Sequence, residues 1–207
     1  MSGGAPTGER RLWLVRHGET EGQSSIRFHG SGDVRLSDEG RAQIVALAAW
    51  LQGVPFARIV HSPLVRAAES ASILARECGL PESLLCRDER WREISFGQCE
   101  GLTREEIAAA FPDFWRAHKA GLAEDFPGGE RRADFTARVA LAARELVNEP
   151  WQGDLLVVAH RGSVRQALRA LFGVSASVPD PFGVELGSLT ILRQAGSWHL
   201  DLIGALP

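Results

Sequence analysis

The sequence has no tyrosine, a single lysine (Lys119), one methionine and only three cysteines in 207 residues. Cys78, Cys86 and Cys99 form no Cys-x-x-Cys pair and leave an odd count, which argues against a disulfide framework or a zinc knuckle. A reduced, cytoplasmic protein with two core cysteines and one loop cysteine is expected. No stretch approaches the roughly 18 uninterrupted apolar residues of a membrane-spanning helix, so no membrane partner is expected. The opening MSGGAPTGERR has no apolar core behind a basic region and is not read as a secretory signal; residues 1–10 are expected to form a disordered tail. A dominant charge is missing too. The net charge is −3 with both signs interspersed, which disfavours a nucleic-acid partner, since that would call for a basic face.

Against the single lysine stand 22 arginines. The codon usage of a GC-rich genome accounts for most of that excess, so the informative arginines are those singled out by position. Hydrophobic residues at 44% and charged residues at 24% are the ordinary globular range. The length suits one domain over residues 11–207, large enough to bury a core without metals or cross-links.

The first element is the apolar run Arg11-Leu-Trp-Leu-Val15, a buried strand that ends abruptly in Arg16-His17-Gly18. Ser37 reads as a helix N-cap, and Ile44, Leu47, Ala48 and Leu51 follow at amphipathic spacing. Ala57–Val60 is a second short strand. Ser62-Pro63 looks like an N-cap with proline in the first turn, opening a helix to about Cys78. Leu84–Arg87 reads as a third strand. Thr103 and Glu106 form a capping box, and Phe111, Phe114 and Trp115 mark the apolar side of a small helical cap over residues 101–129. Phe135, Val139, Ala142 and Leu146 give a long helix. The run Leu-Leu-Val-Val-Ala after Asp154 is a buried strand followed at once by His160-Arg161-Gly162. A helix closed by Gly173 and a hairpin around Ala195-Gly196 complete the chain. Strands alternating with helices predict an α/β fold, a three-layer α/β/α sandwich with a mostly parallel central sheet and an antiparallel edge.

Ligands of such sheets bind beyond the carboxyl ends of the strands. His17 and His160 each follow a buried strand directly. Arg16 sits beside His17, and Arg66 lies one turn into a helix, leaning back towards its opening. Two guanidiniums and two imidazoles at strand ends describe a phosphate pocket, since the planar fork of arginine matches phosphate oxygens bidentately. A histidine there can attack phosphorus, with the arginines stabilising charge in the transition state. The leaving alkoxide needs a proton, for which Glu93 in Arg92-Glu93-Ile94-Ser95-Phe96-Gly97 is the candidate. A bound dianion beside that carboxylate would favour its protonated form by like-charge repulsion. No metal-ligand spacing appears, so no metal and no cofactor is expected.

Leu14-Val-Arg-His-Gly-Glu-Thr20 resembles the signature of the histidine phosphatase superfamily, the phosphoglycerate-mutase-like fold. Five further stretches match in order. They are Phe28-His-Gly30 with Leu36-Ser-Asp-Glu-Gly40, Ser62-Pro-Leu-Val-Arg-Ala67, Arg92-Glu93 through Gly101, Pro127-Gly-Gly-Glu130 with Arg138-Val139, and Val158-Ala-His-Arg-Gly-Ser-Val-Arg165. The resemblance spans about residues 12–195. It implies that His17 is the phosphorylated nucleophile, that Arg16, Arg66 and His160 hold the phosphoryl group, and that Glu93 is the proton donor. It also implies that Gln23, standing where asparagine is common, donates to a phosphate oxygen, and that Phe28, His29 and Gly30 line the entry.

The chain departs from the family at three places. Arg161 replaces the glycine usual after the second histidine, either as a flexible cation at the mouth or as a packed surface residue. Cys99 stands where tryptophan is common among the phosphatases and is expected to be a smaller packing residue. Phe96 stands where the mutases have tyrosine. The missing tyrosine and the few basic residues of 101–129 favour hydrolysis over mutase chemistry. The expected function is therefore a metal-independent phosphatase acting on a small phosphorylated metabolite through phosphohistidine, resembling α-ribazole phosphatases or broad-specificity phosphatases. A cofactor-dependent phosphoglycerate mutase and a non-catalytic phospho-ligand binder are the alternatives. The resemblance admits either a monomer or a homodimer.

Overall fold

The computed structural model describes residues 10–123, 125–175, 178 and 181–207. Residues 1–9 of the expected tail lie outside the described residues, and Arg10 already belongs to the first strand. The elements in chain order are β1 (Arg10–Arg16), α1 (Asp38–Leu51), β2 (Phe56–His61), α2 (Val65–Glu77), β3 (Leu85–Arg87), α3 (Arg104–Ala110) and α4 (Pro112–Lys119). They are followed by α5 (Arg132–Asn148), β4 (Asp154–Ala159), α6 (Arg161–Phe172), β5 (Leu189–Ala195) and β6 (Ser197–Ala205).

The six strands form one sheet in the order β3-β2-β4-β1-β5-β6. The β3-β2, β2-β4 and β4-β1 pairs are parallel, whereas β5 runs antiparallel to β1 and pairs with β6 as a hairpin. Alternation along the central strands sorts the side chains to two faces. On one face Leu12, Leu14, Leu155, Val157 and Ala159 pack against Phe135 and Val139 of α5 and Val164 and Leu168 of α6. On the other, Trp13, Val15, Leu156 and Val158 pack against Ile44 and Leu47 of α1 and Ala71 and Leu74 of α2. Each fully buried Leu or Val is worth about 1.5–3 kcal/mol of transfer free energy. The layering is thus dictated by two strands that are apolar on both faces, and both end at the same edge.

Local chemistry sets the helix ends. The Ser37 hydroxyl accepts the Gly40 N–H at 3.0 Å, and Thr103 with Glu106 closes the expected capping box on α3. Gly173 ends α6 in the left-handed conformation, φ +66°. The start of α2 differs from expectation. Its N-cap is Leu64, not Ser62, and Leu64 is extended at φ −66°, ψ 136°. The helix begins later than expected; the Ser62 hydroxyl accepts the Leu64 N–H at 3.3 Å ahead of it and lies 2.7 Å from His160 Nε2, bridging two strand ends. The cysteines also differ. Only Cys99 is buried; Cys78 is half-buried at the end of α2, and Cys86 is half-buried on the edge strand β3. The helices α3 and α4 gather Ile107, Phe111, Phe114 and Trp115 around Cys99 and Phe126, so Cys99 packs as a small core residue.

Candidate active site

The carboxyl ends of β1, β2 and β4 are tied together by main-chain bonds. His17 N–H donates to Ala159 O at 3.0 Å, and Ser62 N–H donates to Val158 O at 3.1 Å. These bonds bring His17 and His160 side by side, ring centroids 5.1 Å apart and edge to face. Arg66 enters from the first turn of α2 and directs its Nε–H at His17 Nε2, 3.3 Å away. Its Nη1 and Nη2 donate to the carbonyls of Gly32 and Gly30, each at 2.7 Å, which fixes the guanidinium plane. Arg16 donates from Nη1 to Val184 O at 3.0 Å, while its buried Nε has no partner among the described residues. Arg16, His17, Arg66, Glu93 and His160 are all buried.

Among the described residues neither buried guanidinium is ion-paired with a carboxylate, although the charge of Glu93 acts on both. Burial lowers Arg16 and Arg66 to about 10, so both remain cationic at neutral pH. The same surroundings keep the imidazoles neutral. Burial, then the charges of Arg66 and Arg16, push His17 well below the usual histidine value, and burial and Arg66 do the same to His160. His17 Nδ1 lies 2.7 Å from Gly18 O, so in the neutral ring Nδ1 carries the proton and Nε2 the lone pair.

Glu93 approaches from the segment before the cap. Its Oε2 accepts the Gly162 N–H at 2.8 Å and its Oε1 the Ile94 N–H at 3.0 Å. A Cβ at position 162 would stand 2.3 Å from Glu93 Oε1, so any larger residue there would push this carboxylate aside. The main chain of the segment is held by Arg138 of α5. Arg138 forms a two-pronged ion pair with Glu130, both bonds 2.7 Å, and donates to the carbonyls of Arg90, Arg92 and Glu93. This explains why Pro127-Gly-Gly-Glu130 and Arg138 occur together. A second carboxylate, Glu100, accepts from Ser31 N–H and hydroxyl, Ser95 hydroxyl and Phe96 N–H, tying the entry loop to the same segment.

These groups face a cavity of about 370 Å³. Arg16, His17, Arg66, Glu93, Phe28, His29, Gly30 and Arg161 all line it. His29 Nε2 lies 2.6 Å from Gly22 O, and burial lowers its pKa. His160 sits behind the lining, bonded to Ser62. Gln23 is not brought to the cavity. It is exposed in a turn at φ +60°, with its carbonyl accepting the N–H groups of Ile26 and Arg27. Sequence reasoning missed Ser24, Ser25, Ile26 and Arg27, which line the cavity in its stead. Their proximity to the Phe28-His-Gly30 motif is the signal that could have found them. Among the described residues no three His, Cys, Asp or Glu side chains are grouped to hold a metal, and no helix is long and apolar enough to cross a membrane.

Comparison with known proteins agrees with this geometry. The model of the histidine phosphatase superfamily (branch 1) matches residues 12–204. A glucosyl-3-phosphoglycerate phosphatase of Mycolicibacterium vanbaalenii is 36% identical over 199 residues, covering 93% of this chain and 87% of that protein. Among solved structures, a mycobacterial glucosyl-3-phosphoglycerate phosphatase in complex with VO3 superimposes with a TM-score of 0.80 at 32% identity, covering 95% of this chain and 99% of that one. The α-ribazole phosphatase of Shigella flexneri does so with a TM-score of 0.82 at 25% identity, covering 94% and 96%.

Proposed function

The chain belongs to branch 1 of the histidine phosphatase superfamily, and on that premise we propose that it is a metal-independent phosphatase hydrolysing a small phosphomonoester through phosphohistidine. The observation that carries the reading is the geometry of His17: it is buried, its Nδ1 lies 2.7 Å from Gly18 O, and its Nε2 faces the Arg66 guanidinium, whose Nε is 3.3 Å away. Arg16 and Arg66, with His160, hold the phosphoryl oxygens and offset their charge. Nε2 of His17 attacks phosphorus, and the bond to the ester oxygen breaks. Glu93 gives that oxygen a proton, so the product leaves as an alcohol. Water then attacks the phosphorus of phosphohistidine. The Glu93 carboxylate takes the water proton, and inorganic phosphate leaves as the N–P bond breaks. A cytoplasmic location is part of the same proposal and rests on the sequence, whose three cysteines include no Cys-x-x-Cys pair and leave an odd count.

The test is release of p-nitrophenol from p-nitrophenyl phosphate in the presence of EDTA. Turnover is expected with the chelator present, and His17→Ala should lose at least a thousandfold while keeping its melting profile. A folded wild-type protein without turnover between about pH 5 and 8 would sink the proposal, and dependence on added metal would sink the mechanism.

A further inference from the structure

Arg161 is the first residue of α6, exposed, on the wall of the cavity. The position is a poor one for a cation. It lies at the positive end of a helix dipole, and its charge opposes that of the buried Arg16 guanidinium. Among the described residues Arg161 makes no hydrogen bond and no ion pair that would offset these costs. The adjacent carboxylate, Glu93, is taken up by the N–H groups of Ile94 and Gly162. Arg27, also at the mouth, is paired with Glu106 at 2.8 Å, and Arg104 and Glu105 lie together on the far wall. Among the described residues Arg161 is ion-paired with no carboxylate, and of the cavity's exposed cations it stands nearest the buried phosphoryl-binding groups, next to Gly162 and Glu93. The phosphoryl group would sit deeper, against His17, Arg16 and Arg66, so a cation at the mouth faces the alcohol portion of the ester.

We infer that Arg161 reads a second anionic group on the substrate, a carboxylate or second phosphate carried by the alcohol portion, and selects doubly anionic phosphomonoesters over those whose alcohol portion is uncharged. This rests on the phosphatase reading above. Guanidinium suits the role because its fork engages either oxyanion bidentately.

The experiment measures competition against p-nitrophenyl phosphate hydrolysis with two matched pairs. 3-Phosphoglycerate and glycerol 3-phosphate differ by a carboxylate; fructose 1,6-bisphosphate and fructose 6-phosphate differ by a phosphate. Wild-type enzyme is expected to bind the doubly anionic member of at least one pair tenfold or more tightly, and the responding pair identifies the group. Arg161→Gln should cut that preference to threefold or less, and Arg161→Lys should retain an intermediate preference. Equal inhibition within both pairs by wild-type enzyme, or an unchanged preference in Arg161→Gln, overturns the inference. Failure to hydrolyse p-nitrophenyl phosphate at all overturns the phosphatase reading instead, so the two failures are distinct.

Discussion

Glu93 and Gly162 constrain each other at the scale of single residues. The carboxylate is held by the Gly162 N–H, and a side chain at that position would meet it at 2.3 Å. Gly162→Ala is therefore expected to displace the acid and slow hydrolysis of alkyl phosphates about a hundredfold, the lower end of general-acid contributions. p-Nitrophenyl phosphate, whose leaving group needs little protonation, should lose far less. Glu93→Gln should show the same split in the phosphorylation step, and single-turnover phosphorylation rates on both ester classes check it; equal losses in that step would remove Glu93 from the acid role. Arg138→Met should reproduce the split more weakly, because it frees the main chain that carries Glu93 rather than Glu93 itself. The groups at strand ends were legible in the sequence because an apolar run that stops dead at Arg-His or His-Arg places a polar side chain beyond a sheet edge. Gln23 was not legible, since its direction depends on a left-handed turn that no periodicity encodes.

At the scale of elements, α1 supports the nucleophile. A Cβ on Gly40, in its first turn, would meet Glu19 O at 1.9 Å, so the helix start touches the main chain two residues beyond His17. Gly40→Ala should push that loop outward and remove most activity. Ser37→Ala, which only unties the cap of the same helix, should cost about 1 kcal/mol and leave the rate nearly unchanged. Urea titrations beside rate measurements separate the two. The faces of α1, α5 and α6 could be read directly from apolar spacing, since each helix lays one stripe on the sheet. The start of α2 could not. Ser62-Pro63 has the look of a cap, but the hydroxyl accepts only the Leu64 N–H ahead of the helix, and its second partner, His160, arrives from far along the chain.

For the molecule as a whole, the two neutral buried histidines tie stability to pH. Each takes up a proton near pH 6.5 when unfolded but only far lower when folded. Below about pH 6.5 the unfolded chain binds more protons, so stability should fall by about 1.4 kcal/mol per pH unit for each histidine. Denaturation at pH 7.5 and 5.5 measures this, and equal midpoints would contradict the neutral imidazoles. Inorganic phosphate, the product, should raise the melting temperature of wild-type enzyme by mass action and do so less in Arg66→Ala. The sheet order could not be read from local pattern, because it is decided by which strands pair across the chain. That order has a consequence for synthesis. β4 is inserted between β2 and β1, although it is made long after both. A chain emerging from the ribosome holds His17, Arg66 and Glu93 early, yet its central sheet stays split until β4 arrives with His160 behind it. Nascent chains should therefore be inactive until β4 has emerged, and the onset of turnover can serve as a clock for closure of the sheet.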